Sequence, residues 1–186
     1  MHPQLEAVAA EFDSARRRLH DLAHTAPADA WLRRADPQRW SMGECVAHLN
    51  LTSKAFVPLV EAALTEGRAL PRHAGGPYRR NFTGWLLWRF SGPAPRQRVK
   101  TAAPFIPSGQ QPLAQLLAEF DAWHARQLEY TRAADGFALE KVRIVSPFNA
   151  GVKYNLYSCL TILPRHEHRH VWQAEQVWAA LQTQGS

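Results

Sequence analysis

Four long stretches of this chain repeat their apolar residues at helical spacing, and that periodicity limits the fold more than any other feature. The first, about residues 3–25, sets Leu5, Val8, Phe12, Leu19 and Ala23 on one stripe, with Pro27 following it. The second opens on Ser41 and Glu44, an S-x-x-E capping box, and is expected over 43–66, ahead of Gly67. Its stripe holds Cys45, His48, Thr52, Ala55, Phe56, Leu59 and Ala63. The third, about 112–134, aligns Leu113, Leu117, Phe120, His124 and Leu128, with Pro112 near its first turn and Gly136 beyond its end. The fourth, about 155–182, aligns Cys159, Ile162, His166, His170, Gln173, Val177 and Leu181. Pro164 falls inside it, which predicts a kink near residues 160–164 or a helix that starts there. No strand signal is strong, and residues 141–145 are only weakly extended. Four helices of ~30–40 Å each suit an all-α four-helix bundle.

Composition agrees with one domain over 1–186. With 46% hydrophobic and 20% charged residues, 186 residues can bury a single good core and are too few for two comfortable ones. The N-terminal residues carry no apolar core of signal-peptide type. No run approaches the ~18 apolar residues of a membrane span, and two cysteines make no disulfide framework. A soluble, cytoplasmic protein is expected.

The charge is unevenly spread. No Asp or Glu lies between Glu66 and Glu119, whereas eight basic residues do, from Arg68 to Lys100 by way of Arg96 and Arg98. The same stretch holds seven of the 13 prolines and six of the ten glycines. It reads as a long basic connection, 67–118, with one short helix near 82–91. That helix is aromatic and set among arginines. It is expected to be a lid over the bundle mouth; a dimer contact, a membrane surface and nucleic-acid stacking are the alternatives.

His166-Glu167-His168-Arg169-His170 fits H-E-x-x-H, in which two histidines one turn apart grip a metal and the glutamate activates water. Position i+4 is rotated by about 40°, so His166 and His170 share a face, while His168, at about 200°, points elsewhere. Zinc peptidases of this kind take a third ligand downstream. Here only Glu175 follows, five residues past His170 and too near to reach back, so the third ligand must come from upstream. His48 is the candidate, because it sits mid-stripe on the second helix. Three imidazoles suit zinc, nickel, copper or iron and leave positions open. The bland alternative for each is a core imidazole bonded to a carbonyl.

Two segments carry a family resemblance. Trp40-Ser41-Met42-Gly43-Glu44-Cys45-Val46-Ala47-His48-Leu49 resembles the W-S-x-x-E-x-x-x-H-L signature of the DinB-like four-helix bundles, and the segment 166–173 is similar to their closing H-E-x-R-H-x-x-Q. The resemblance implies an up-down-down-up bundle, often dimeric, with one divalent metal held by His48, His166 and His170. Zinc, nickel, iron and manganese are the expected candidates. Relatives that use bacillithiol, or mycothiol to isomerise maleylpyruvate, imply a metal-dependent transferase or isomerase acting on a small electrophile with a low-molecular-weight thiol. A non-catalytic metal-binding bundle and a hydrolase using Glu167 are the alternatives. A homodimer is expected, and nucleic acid is not expected as a partner.

Further residues have two readings each. Glu44 closes the capping box and lies one turn before His48, where it could also steady the imidazole. Gln173 lies one turn beyond His170. Glu167, about 100° from His166, is expected on the solvated surface. His124 is expected in the core, with a fourth-ligand role as its alternative. Cys45 and Cys159 are expected as small buried hydrophobes. Arg165 and Arg169 flank the ligands and face either the site or solvent.

Overall fold

The first helix, α1 (Pro3–Thr25), starts with His2 accepting from the Gln4 amide and stops where Pro27 forces Ala26 into an extended conformation. This computed structural model describes residues 1–93, 101–108 and 111–184. The basic residues Arg96, Arg98 and Lys100 lie outside the described residues. The second helix, α2 (Met42–Arg68), is entered through both bonds of the capping box: Ser41 N–H donates to Glu44 Oε2 at 2.7 Å and Glu44 N–H donates to Ser41 Oγ at 3.2 Å. Pro58 lies inside α2 on its exposed face, so the carbonyl it leaves unbonded, that of Lys54, is open to water.

A short helix, α3 (Phe82–Phe90), follows, capped by Asn81. The fourth, α4 (Leu113–Ala133), begins after Pro112 and ends before Gly136, whose φ of 73° is left-handed. Strands β1 (Arg143–Val145) and β2 (Lys153–Asn155) pair antiparallel, with Ile144 opposite Tyr154. The last helix, α5 (Leu156–Gln184), runs through Pro164 and begins eight residues before it, so the expected start at that proline is not found. The long helices match the sequence stripes to within two residues at each end. The hairpin is the element that the stripes did not announce.

The helix α1 packs against α4 and α5, and α2 packs against the same two. Their apolar residues form two separate cores. One joins Leu5, Val8 and Phe12 to Phe56, Val60, Leu64, Leu128 and Leu160. The other joins Leu19 and Leu22 to Met42, Leu49, Leu116, Phe120, Val171 and Leu181. Between them runs a polar belt built from α2, α4 and α5. It contains buried His48, Asn50 and Ser53 on α2, His124 and Gln127 on α4, and Glu167, His168 and His170 on α5. A bundle that places so many polar groups at mid-height has given up apolar burial there, and such a belt marks a site.

Candidate metal centre

The belt gathers His48, His166 and His170 on one side of the bundle, with one ligand atom from each within 4.8 Å of the others. His166 Nε2 lies 3.4 Å from His48 Nε2 and 3.2 Å from His170 Nε2. The opposite nitrogens of two rings are committed elsewhere. His48 Nδ1 is 2.7 Å from the Phe105 carbonyl oxygen, and His170 Nδ1 is 3.1 Å from Gln173 Oε1. Carbonyl and amide oxygens only accept, so each Nδ1 carries the proton and each Nε2 turns a lone pair toward the cluster. A metal bound at ~2.0–2.1 Å by tetrahedrally placed nitrogens spaces them about 3.3–3.4 Å apart. The observed separations and the donor set both fit such an ion.

Local folding explains the convergence. The helical repeat puts His166 and His170 on one face of α5, and His48 lies on the buried stripe of α2, which packs against α5. Trp40, just before the cap, lays its ring 4.9 Å from His48 and 6.0 Å from His170 by centroid. The basic connection supplies the Phe105 carbonyl, and Phe105 is held in turn by Phe148 of the hairpin loop at 4.1 Å between centroids.

Burial pushes all three histidines toward their neutral form. His48 falls below the ordinary value through desolvation, which the Phe105 carbonyl partly offsets. His166 and His170 are driven well below it by desolvation, then by the neighbouring histidines and the Arg169 charge. Neutral imidazoles are the form that binds a metal. No carboxylate belongs to the cluster, so a divalent ion held here would keep its full charge for an anionic or polarisable partner.

A cavity of about 720 Å³ opens beside His170, lined by Arg39, Trp40, Arg169, Trp172, Gln173 and Gln176 among others. Arg169 sits at the mouth and donates to the Phe90 carbonyl at 3.1 Å. Desolvation lowers its own pKa. Arg165 faces elsewhere, with its guanidinium 4.4 Å from the Trp88 ring centre. Of the two flanking arginines, Arg169 alone is at the site.

Several expectations change. Glu167 is buried, neither carboxyl oxygen has a hydrogen-bond partner among the described residues, and desolvation pushes its pKa well above the carboxylate range. It is no surface residue, because α1 and α2 pack against α5 and Glu167 enters the interior between them, where Gln127 of α4 lies beside it. Glu44 is spent on the cap and on Arg34 Nε at 2.8 Å; the partner of the His48 Nδ1 is the Phe105 carbonyl. Gln173 holds an imidazole. His124 stands outside the cluster, 3.2 Å from Asp13 and 6.3 Å from the Phe120 ring. Cys45 and Cys159 are fully buried, and desolvation raises both thiols. His168 turns to α1, where its nitrogens lie 3.0 Å from Arg18 Nη1 and 3.0 Å from Glu11 Oε2.

Phe105 and Phe148 had no signal in the sequence, because one acts through its backbone and the other through tertiary packing. Trp40 was visible as part of the first signature, without a role.

A family model described as the DinB superfamily matches residues 11–174, a span that includes all three histidines. No curated protein and no solved structure gives a match. The chain belongs to the DinB superfamily.

Proposed function

We propose that this DinB-superfamily protein binds one divalent transition metal through His48, His166 and His170 and acts as a transferase or isomerase on a small electrophile, with a low-molecular-weight thiol as cosubstrate. The observation that carries the metal reading is the pair of committed Nδ1 atoms, which leaves lone pairs of the Nε2 atoms converging at tetrahedral spacing. A bound dication supplies Lewis acidity there, favouring the ionised form of a thiol at neutral pH.

The protein's own groups do the rest. The Phe105 carbonyl and Gln173 orient two imidazoles, and Trp40 covers them from water. Arg169 gives the cavity a positive charge to orient a carboxylate-bearing substrate, while Arg39 is paired with Asp36 of the same lining at 3.2 Å. Zinc, nickel, iron and manganese remain the candidates.

The bundle is proposed to be a single up-down-down-up domain. This order is supported by the first halves of α1 and α5 sharing one core with the second halves of α2 and α4. A homodimer is the proposed assembly, from the resemblance alone. The second functional reading is a metal-binding bundle without catalysis. Hydrolysis through Glu167 is disfavoured, since that carboxyl is buried and does not line the cavity.

The test uses untagged protein purified without a nickel column. Metal per chain should be near one in wild type and lost in His170→Ala. Metal-loaded protein should then conjugate a cellular thiol to a chlorinated electrophile faster than the metal-free control. Absence of tight metal binding in wild type would sink the whole reading, while metal binding without turnover would leave the non-catalytic bundle.

A further inference from the structure

The helix α3 turns four large apolar side chains outward. Phe82 is 76% exposed, Trp85 47%, Leu86 41% and Phe90 66%. At about 100° per residue these and Arg89 fall within an arc of about 140°, a single outward face. The opposite side is anchored: Gly84 approaches Ser158 so closely that a Cβ there would collide with it, and Leu87 and Trp88 pack against the core. The helix is therefore pinned with its apolar face outward.

The surroundings of that face are cationic. The segment 67–118 contains no acid, and neither does 141–166, the stretch that forms the hairpin and the start of α5. These two segments pack together, because α3 contacts both β2 and α5. Exposed Arg143, Val145 and Lys153 share the outer face of the hairpin, with Val145 paired to Lys153. Arg79 and Arg89 are exposed at and within α3. Glu140, which accepts from the Arg79 backbone N–H at 3.0 Å, is the acid at the edge of this surface.

We propose that α3 and the outer face of the hairpin form a docking surface for an anionic phospholipid membrane, with α3 lying in the plane of the headgroups. Aromatic and leucine side chains enter the headgroup–acyl boundary, and the arginines and lysine around them meet lipid phosphates. Charge complementarity favours this occupant over a second copy of the chain. A symmetric pairing through α3 would set the same cationic face against itself, because a two-fold interface uses one patch twice. Nucleic acid would satisfy the cations but leave Leu86 and the phenylalanines poorly used. The reading is compatible with the absence, among the described residues, of any helix long and apolar enough to cross a membrane. It is independent of the metal chemistry.

Flotation of the full chain with phosphatidylcholine vesicles, and with equimolar phosphatidylcholine and phosphatidylglycerol vesicles, tests it. Binding is expected to the anionic vesicles alone and should weaken as salt shortens the range of attraction. The double variant Trp85→Ser, Phe90→Ser and the single variant Arg89→Glu should each lower the bound fraction at least about tenfold. Their helical circular dichroism should stay unchanged, since the altered side chains are exposed. No binding to anionic vesicles, equal binding to both kinds, or binding that both variants retain overturns the proposal. Single-stranded DNA binding, or self-association, that the variants abolish while vesicles stay unbound also overturns it and assigns the face to that partner.

Discussion

One turn of α5 presents two polar surfaces, and they are built in opposite ways. Outward, His166 and His170 join His48 beside a cavity, with two of the rings steered by oxygen acceptors. Inward, Glu167 enters the bundle next to Gln127, and its oxygens, like Gln127 Oε1, lack hydrogen-bond partners among the described residues. Gln127 Nε2 does donate to Ser53 Oγ at 2.8 Å, so the inner group is linked and only partly satisfied. The comparison separates two kinds of buried polarity. The outer group has an arrangement that a ligand completes, whereas the inner group carries a standing cost to stability.

The two surfaces should respond differently to a metal, and the largest effect tests that. Loading the wild-type protein with metal to about a thousand times its Kd should stabilise it by roughly 4 kcal/mol, and His170→Ala should forfeit most of that gain. Thermal denaturation with and without chelator measures both. An equal gain in the variant would mean that the metal binds elsewhere. Replacing the steering group without touching a ligand gives a smaller loss. Gln173→Leu should weaken metal affinity by about 10–100-fold in chelator competition, because His170 then loses the partner that fixes its tautomer.

In the metal-free protein the two surfaces should also answer pH in opposite senses. The histidines have depressed pKa values, so the stability they permit is present above the ordinary histidine value of 6.5 and is lost as pH falls below it. Metal binding should accordingly persist below that value and fail only under more acid conditions. Glu167 has a raised pKa, so its contribution is intact below the ordinary glutamate value of 4.5 and is lost as pH rises toward the folded-state pKa. Glu167→Gln removes that loss. The variant should match wild type near pH 4 and exceed it by about 1–2 kcal/mol at pH 8 in urea titrations with chelator present. A constant gap across the range would show that Glu167 is ionised in the fold.

The sequence showed the outer surface far better than the inner one, and the reasons are physical. His48, His166 and His170 lie on apolar stripes, where a repeat of 3.6 residues puts them on the faces by which α2 and α5 meet, whatever the other neighbours do. Glu167 is about 100° off that stripe, at the border between core and solvent, and only the way α1 and α2 pack against α5 decides which side it takes. The Phe105 carbonyl is invisible for another reason: every residue has one, so identity carries no signal. The hairpin failed on length, since three residues per strand give too little alternation to read. Both long-helix prolines were tolerated, Pro58 because it faces water and Pro164 in a helix that starts well ahead of it.

The smallest expected effect concerns Glu44, which lies one turn before His48 and could have served either the helix cap or the metal site. Its bonds to the Ser41 amide and to Arg34 assign it to the cap. Glu44→Ala should therefore cost about 0.5–1 kcal/mol of stability, with little of it from the Arg34 pair, which is solvent-exposed on the arginine side. The cost should be the same with and without metal, and metal affinity should stay within about twofold of wild type. The capping box sets where α2 begins, but the many contacts that α2 makes with α4 and α5 hold His48 in register once the helix has formed. A metal affinity that fell with the cap would contradict that division and would join Glu44 to the outer surface after all. Paired melting curves and chelator competition on the one variant decide it.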